Sequence, residues 1–85
     1  MTAFDDTLRR ARLMSARFYL IDVRSGEFLS RNAAGKASRF SFDMRSAAVR
    51  AARRWRACDR WVAVFDRVED RLVWAGGVDL PGGAR

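Results

Sequence analysis

The chain has 85 residues, of which 49% are apolar and 12% aromatic, and this combination predicts one folded domain that is disordered at most at its ends. Its single cysteine, Cys58, excludes an intramolecular disulfide, and the absence of an apolar run of about 18 residues or of a signal-peptide stretch predicts a cytoplasmic protein that does not bind membranes. The net charge of +7, from 17 basic and 10 acidic residues, favours association with anionic partners.

Residues 1–16 form an N-terminal segment with helical features. Phe4, Leu8 and Ala11 are spaced to lie on one face of a helix. Two aspartates in the first turn and three arginines further along complement the helix dipole. We therefore predict a short helix over residues 4–14, with frayed coil as the alternative.

A β-hairpin is predicted next. Residues 17–23 are rich in strand-forming side chains, Gly26 can take the positive φ of a tight turn, and residues 27–31 return. Gly35 marks a second turn. The alternation of apolar and polar side chains in residues 38–42 predicts a third strand or an extended arm that leads into the following helix.

That helix, predicted over residues 44–58 with Asp43 as its N-cap, has the clearest pattern in the chain. One of its sides is apolar and consists mostly of alanine, which allows close packing on a sheet. This apolar side contains Met44, Ala47, Ala48, Ala51, Ala52, Trp55 and Cys58.

A second hairpin, residues 60–66 and 71–75 around a polar turn, completes the predicted core. The chain from Gly76 onward contains four of the six glycines and the only proline, so we expect residues 77–85 to form a flexible tail. The sum is an α+β fold over residues 17–76, in which an antiparallel sheet of four to five strands packs on one main amphipathic helix.

Residue types that support catalysis are scarce. The absence of histidine excludes His-based triads, Cys–His pairs and most catalytic zinc sites, and we expect Cys58 to be a small buried side chain. Asp66, Glu69 and Asp70 lie close together in the chain, but they lack the glycine and the alternating oxygen ligands of an EF-hand loop. We therefore expect a protein that is not an enzyme and has no metal site, cofactor or small-molecule substrate.

The outer side of the main helix carries the most specific signal in the sequence. Residues 44–58 contain no Asp or Glu, so no i,i+4 ion pair offsets the positive charge of this side. The expected partner-binding residues are Arg45, Arg50, Arg53, Arg54 and Arg56, joined by Arg60 just beyond the helix. A solvated helix face and the arginine bias of a GC-rich genome are the alternatives.

Two classes of partner fit such a face. One is the acidic surface of a larger protein or ribonucleoprotein complex, and the other is nucleic acid. The aromatic residues do not separate the two, because Trp55, Trp61, Phe65 and Trp74 have the spacing of core residues. Tyr19 is the aromatic residue that we expect to be exposed.

Several pieces of the chain match a recurring pattern. They are residues 18–23, the turn at residues 25–27, Phe42 before the helix, the alanine pairs at 47–48 and 51–52, and residues 62–66. Together they resemble a family of small bacterial and phage ββαββ domains of unknown function, which implies the fold.

In size and type the chain is also similar to anti-CRISPR proteins and other mobile-element inhibitors. These are small domains without catalytic residues that occupy a surface of a defence complex. Because this chain is basic, unlike the members that mimic DNA, the resemblance implies that it covers an acidic protein patch or competes for nucleic acid.

Overall fold

A computed structural model describes residues 2–80. The elements in chain order are α1 (Ala3–Arg12), β1 (Phe18–Asp22), β2 (Ser41–Phe42), α2 (Arg45–Ala57), β3 (Val62–Asp66), β4 (Arg71–Ala75) and β5 (Val78–Asp79). The five strands form one sheet in the order β2-β1-β3-β4-β5, and every neighbouring pair is antiparallel. The predicted α+β class and strand count are confirmed. Within the described residues, no helix is both long and apolar enough to cross a membrane.

The two five-residue strands β1 and β3 form the middle of the sheet and are buried along their whole length. Because successive strand side chains point to opposite faces, each strand contributes to two clusters. One cluster packs against α2 and includes Phe18, Leu20, Val62 and Val64; the other packs against α1 and includes Tyr19, Ile21 and Phe65. The sheet therefore has a helix on each face.

The helix predicted near the N-terminus is present as α1. Thr2 caps it, accepting a hydrogen bond from the Asp5 backbone N–H at 3.1 Å while the Asp5 carboxylate accepts one from the Thr2 backbone N–H at 3.5 Å. The buried Thr7 hydroxyl donates to the Gly26 carbonyl, and Ala11 is fully buried. These contacts hold α1 on the sheet, which adds a third layer to the two expected from the sequence.

The main helix begins at Arg45, one residue later than predicted, and ends at Ala57. The predicted N-cap was wrong: Met44 occupies the cap position without a side-chain hydrogen bond, and Asp43 lies one residue too early to accept from the first free N–H groups. The alanine face is confirmed, since Ala48, Ala51 and Ala52 are buried against the sheet.

The segment between β1 and α2 differs in part from the predicted hairpin. Residues 27–31 return beside β1 but pair with it only at an isolated bridge, between Ile21 and Phe28, because β2 occupies the other half of that edge of β1. A second isolated bridge joins Arg31 to Ala37. Gly26 and Gly35 have the expected positive φ, at 75° and 80°. At the other end of the chain, Val78 and Asp79 pair with β4 inside the segment expected to be flexible, and residues 81–85 lie outside the described residues.

Three predictions of burial were wrong. Tyr19, expected to be exposed, is fully buried, because it lies in a central strand beneath α1 and next to Phe28. Trp61, expected in the core, is 40% exposed, because it precedes β3 and lies at the edge of the part of the sheet that a helix covers. Cys58, expected to be buried, is exposed, because it is the C-cap residue beyond the last turn that packs on the sheet.

Candidate functional site

The six arginines proposed from the sequence divide into two groups. Arg50, Arg53 and Arg54 are exposed on the outer side of α2, and no hydrogen bond, ion pair or ring contact to another part of residues 2–80 involves their guanidinium groups. We call these three residues the arginine face. They lie at i, i+3 and i+4, so their side chains are neighbours on one helical surface.

The other three arginines of the set have partners. Arg45 reaches from the first turn of α2 to the sheet edge, where it donates to the Val73 carbonyl and the Asp79 carboxylate at 3.3 Å. The Arg56 guanidinium stacks 4.7 Å from the centre of the Trp61 ring, and Arg60 lies 3.6 Å from the carboxylate of Asp22. These contacts give Arg45, Arg56 and Arg60 structural roles that the arginine face does not have.

The contrast extends to every other arginine of residues 2–80. Each of those twelve makes at least one hydrogen bond, ion pair or aromatic contact; they are Arg9, Arg10, Arg12, Arg17, Arg24, Arg31, Arg39, Arg45, Arg56, Arg60, Arg67 and Arg71. The arginines that contribute to the fold therefore each make a hydrogen bond, an ion pair or an aromatic contact within residues 2–80. The arginine face is the exception, and three neighbouring unpaired cations repel one another.

Beside the arginine face lies a cleft with mixed chemistry. Its walls are the loop at residues 32–39 and the C-terminal half of α2, and its volume is about 830 Å³, within the usual range of ligand sites. Three arginines, Arg39, Arg54 and Arg60, line it together with Phe42, Trp55 and Cys58. No carboxylate is among the described lining residues. Arg54 belongs to both the arginine face and the cleft, so the two surfaces are continuous.

The C-terminal end of α2 forms one end of the cleft. Asp59 adopts a positive φ of 63°, and the N–H groups of Asp59 and Arg60 donate back to the carbonyls of Arg56 and Trp55 at 3.0 and 3.2 Å. This is the Schellman pattern of helix termination, with aspartate at the position that glycine usually occupies. The turn brings Arg60 back beside Trp55, at the mouth of the cleft.

The opposite wall of the cleft is held by its own hydrogen bonds. The Asn32 side-chain oxygen accepts from the backbone N–H groups of Ala34 and Lys36 at 2.9 and 3.0 Å, and the Gly35 carbonyl accepts from Arg31 at 2.8 Å. Because the loop is bonded in this way, the cleft exists before any ligand enters it. The sequence did not identify this cleft, since its two walls come together only through the fold.

The acidic residues near the turn between β3 and β4 form a structural cluster. The buried Asp66 carboxylate accepts from Arg17 at 2.9 and 3.0 Å and from the N–H groups of Val68 and Glu69. Burial by itself raises the pKa of Asp66, but these hydrogen bonds outweigh it, so the pKa lies below its ordinary value. The contact between Arg17 and Asp66 also raises the pKa of Arg17, chiefly through the hydrogen bond between the two side chains. Asp66 therefore serves to hold this turn and Arg17.

The site can be described only from the molecule itself. Comparison of the chain with family models, with curated proteins and with solved structures finds no match in any of the three. Its fold is that of a small α+β domain with an antiparallel sheet covered by two helices. The arginine face is its candidate docking site, and the cleft beside it is a separate feature that shares Arg54 with that face.

Proposed function

We propose that this is a non-enzymatic binding protein that docks through the arginine face on the acidic surface of a larger protein or ribonucleoprotein complex. The observation that carries the proposal is that Arg50, Arg53 and Arg54 are the arginines of residues 2–80 without an intramolecular partner. Guanidinium groups form bidentate contacts with carboxylates, and an unpaired group gives up no internal contact when it binds.

The type of protein that fits best is an inhibitor or adaptor of the kind encoded by phages and mobile elements. Such a protein acts by covering a surface, and a small rigid domain with one strongly charged face is sufficient for that. Support comes from the small size of the domain and from a sequence without histidine. The partner class follows from electrostatic complementarity, because a face with a net positive field attracts acidic surfaces over several ångströms.

Two matched triple variants test the docking. One neutralises the arginine face as R50Q/R53Q/R54Q, and the other neutralises α1 as R9Q/R10Q/R12Q, on the opposite side of the sheet. Each lowers the net charge from +7 to +4, and Gln and Arg have similar helix propensities. The partner is first identified by affinity capture with the wild-type chain from a nuclease-treated lysate, and its affinity for each purified protein is then measured by calorimetry.

We expect the arginine-face variant to lose about tenfold or more in affinity, as for removal of a cluster of interface arginines. The α1 variant is expected to bind within about twofold of the wild-type chain. Equal losses in both variants would show that net charge alone drives binding and would contradict the proposal. A partner that is captured from an untreated lysate but not from the nuclease-treated one would favour direct recognition of nucleic acid over docking on a protein surface.

A further inference from the structure

We infer that the cleft between the loop at residues 32–39 and α2 binds a short stretch of single-stranded nucleic acid. Bases would stack on Trp55, while phosphates would contact Arg39, Arg54 and Arg60. This goes beyond the proposed docking, because it concerns a separate surface that shares only Arg54 with the arginine face. It also assigns a chemical class of ligand to a surface that has no function in the proposal above.

The positive charges that line the cleft favour a ligand with several negative charges. Three guanidinium groups line it, and no described lining residue is acidic. Arg54 has no partner within residues 2–80. The Arg39 Nε donates to the Ser41 carbonyl at 2.9 Å, which fixes the side chain, and the described residues provide no acceptor for its two terminal amino groups. In Arg60, the Nη1 group lies 3.6 Å from the Asp22 carboxylate, and the described residues provide no acceptor for the other N–H groups of the guanidinium.

The apolar part of the cleft selects a ligand with flat rings. Trp55 is only partly buried against the core, and Phe42 and Ala51 extend the apolar wall beside it. The Arg39 guanidinium covers the Phe42 ring at 4.6 Å, so Trp55 is the ring of this wall that a base can reach. Aromatic side chains interleaved with arginines are the arrangement with which proteins bind unpaired bases.

Other anionic ligands fit less well. A duplex presents its phosphates outward and keeps its bases stacked, so it would contact the arginines but would not use Trp55. The acidic side chains of a peptide could pair with the arginines, but they have no ring to stack on the indole. A single strand uses both halves of the cleft, with its bases on Trp55 and its phosphates on the arginines. The neighbouring depression around Trp61 lacks this excess of positive charge, because Asp22 and Asp59 line it together with Arg24 and Arg60.

The test is a titration of the full chain with a fluorescein-labelled oligothymidylate of about 15 nucleotides, near the upper limit of the site size of small single-strand-binding domains. W55L removes the stacking ring, and W61L is the matched control, because Trp61 is 40% exposed but does not line the cleft. We expect W55L to weaken binding about 5- to 150-fold, the range for loss of one base–aromatic stack. W61L should bind within about threefold of the wild-type chain.

Two further variants keep the result interpretable if W55L folds poorly. W55F retains an aromatic ring and should bind more tightly than W55L. R39Q/R54Q changes two exposed side chains and should reduce the slope of log affinity against log salt by about 1.4, which corresponds to two phosphate contacts with a single strand. The inference is overturned if W55L and W61L bind equally, if a duplex of the same length binds as tightly as the single strand, or if the wild-type chain does not bind at low salt.

The outcomes separate this inference from the proposed docking. The docking partner, once identified, should bind W55L within about twofold of the wild-type chain, because the arginine face is intact in this variant. Loss of oligonucleotide binding with retained docking supports both proposals. Docking without oligonucleotide binding at low salt overturns the inference alone, whereas oligonucleotide binding without any protein partner leaves the inference standing and contradicts the docking.

Discussion

The two helices cover opposite faces of one sheet, and they are built in opposite ways. α1 has a side-chain cap, acidic residues in its first turn and basic residues in its last, all of which stabilise a helix. α2 has no side-chain cap and no acidic residue in its first turn, and it carries three arginines that have no partner within residues 2–80. The comparison indicates that α1 is arranged for stability, whereas the outer side of α2 retains features that lower stability.

The segment that follows α1 shows the same use of arginine in folding. Arg67 donates to the carbonyls of Ser15 and Ala16, Arg17 binds the buried Asp66, and Arg12 bonds to Asp70 at 2.6 Å. These arginines join the connection between α1 and β1 to the turn between β3 and β4, by binding carbonyls of the connection and carboxylates of the turn. Within residues 2–80 the arginine face makes no such contacts, so arginine has different roles in different parts of this protein.

The largest effect is expected from G26A, which targets the contact between α1 and the sheet. Gly26 has a φ of +75°, and a Cβ at this position would lie 2.6 Å from the backbone nitrogen of Phe4. The left-handed conformation alone costs an alanine about 1 kcal/mol, and displacement of α1 adds to this, so we expect a loss of about 3 kcal/mol or more in the free energy of unfolding. Urea denaturation measures the loss.

G35A is the matched control for that substitution. Gly35 has a similar φ of +80°, but no atom lies within 4 Å of the added Cβ. The expected loss is therefore about 1 kcal/mol, from backbone strain alone. Equal losses in G26A and G35A would mean that the packing of α1 contributes little to stability, and the contrast between the two helices would fail.

The second prediction concerns the stability of the fold at low pH, where the Asp66 carboxylate becomes protonated. Because the pKa of Asp66 in the folded protein lies below its ordinary value, the folded state holds the proton less tightly than the unfolded chain. The carboxylate therefore stabilises the fold above about pH 4, and this contribution is lost as the pH falls through the lower, folded-state pKa.

D66N removes the charge and keeps the shape. We expect a loss of about 2 kcal/mol at pH 7, the magnitude of a hydrogen bond to a charged group, together with a smaller further loss below pH 4 than in the wild-type chain. Chemical denaturation at a series of pH values measures both. A wild-type value at pH 7, or an unchanged acid dependence, would contradict the role of Asp66 as the anchor of Arg17.

The sequence predicted those parts of the molecule that depend on local pattern. The strand-forming side chains of β1, the hairpin pattern of β3 and β4, the alanine side of α2 and the helical spacing of α1 all led to the correct elements. Which arginines have partners was not predictable, because Arg45 and Asp79 are 34 residues apart and meet only across the fold. The wrong burial predictions for Tyr19 and Trp61 have the same origin. A strand pattern assigns a side chain to one face of the sheet, but it does not say whether a helix covers that part of the face.

The smallest effect is expected from the arginine face, and its sign is the opposite of the others. In R50Q/R53Q/R54Q, the repulsion of Arg50 with Arg53 and with Arg54 is removed, and each such pair costs a few tenths of a kcal/mol. No intramolecular contact within residues 2–80 is lost. We therefore expect the free energy of unfolding to rise by about 0.5 kcal/mol at low salt and to return to the wild-type value at high salt, where the repulsion is screened.

The corresponding change in α1, R9Q/R10Q/R12Q, completes the comparison. It removes the ion pairs of Arg9 with Asp6 and of Arg12 with Asp70, as well as the contact of Arg10 with the Phe28 ring. These groups are exposed, so the expected loss is modest, about 0.5–1 kcal/mol. Thermal and urea unfolding of the two variants at two salt concentrations measures both signs. A loss of stability in both would mean that the arginine face also serves the fold, and the reason for regarding it as a binding surface would be gone.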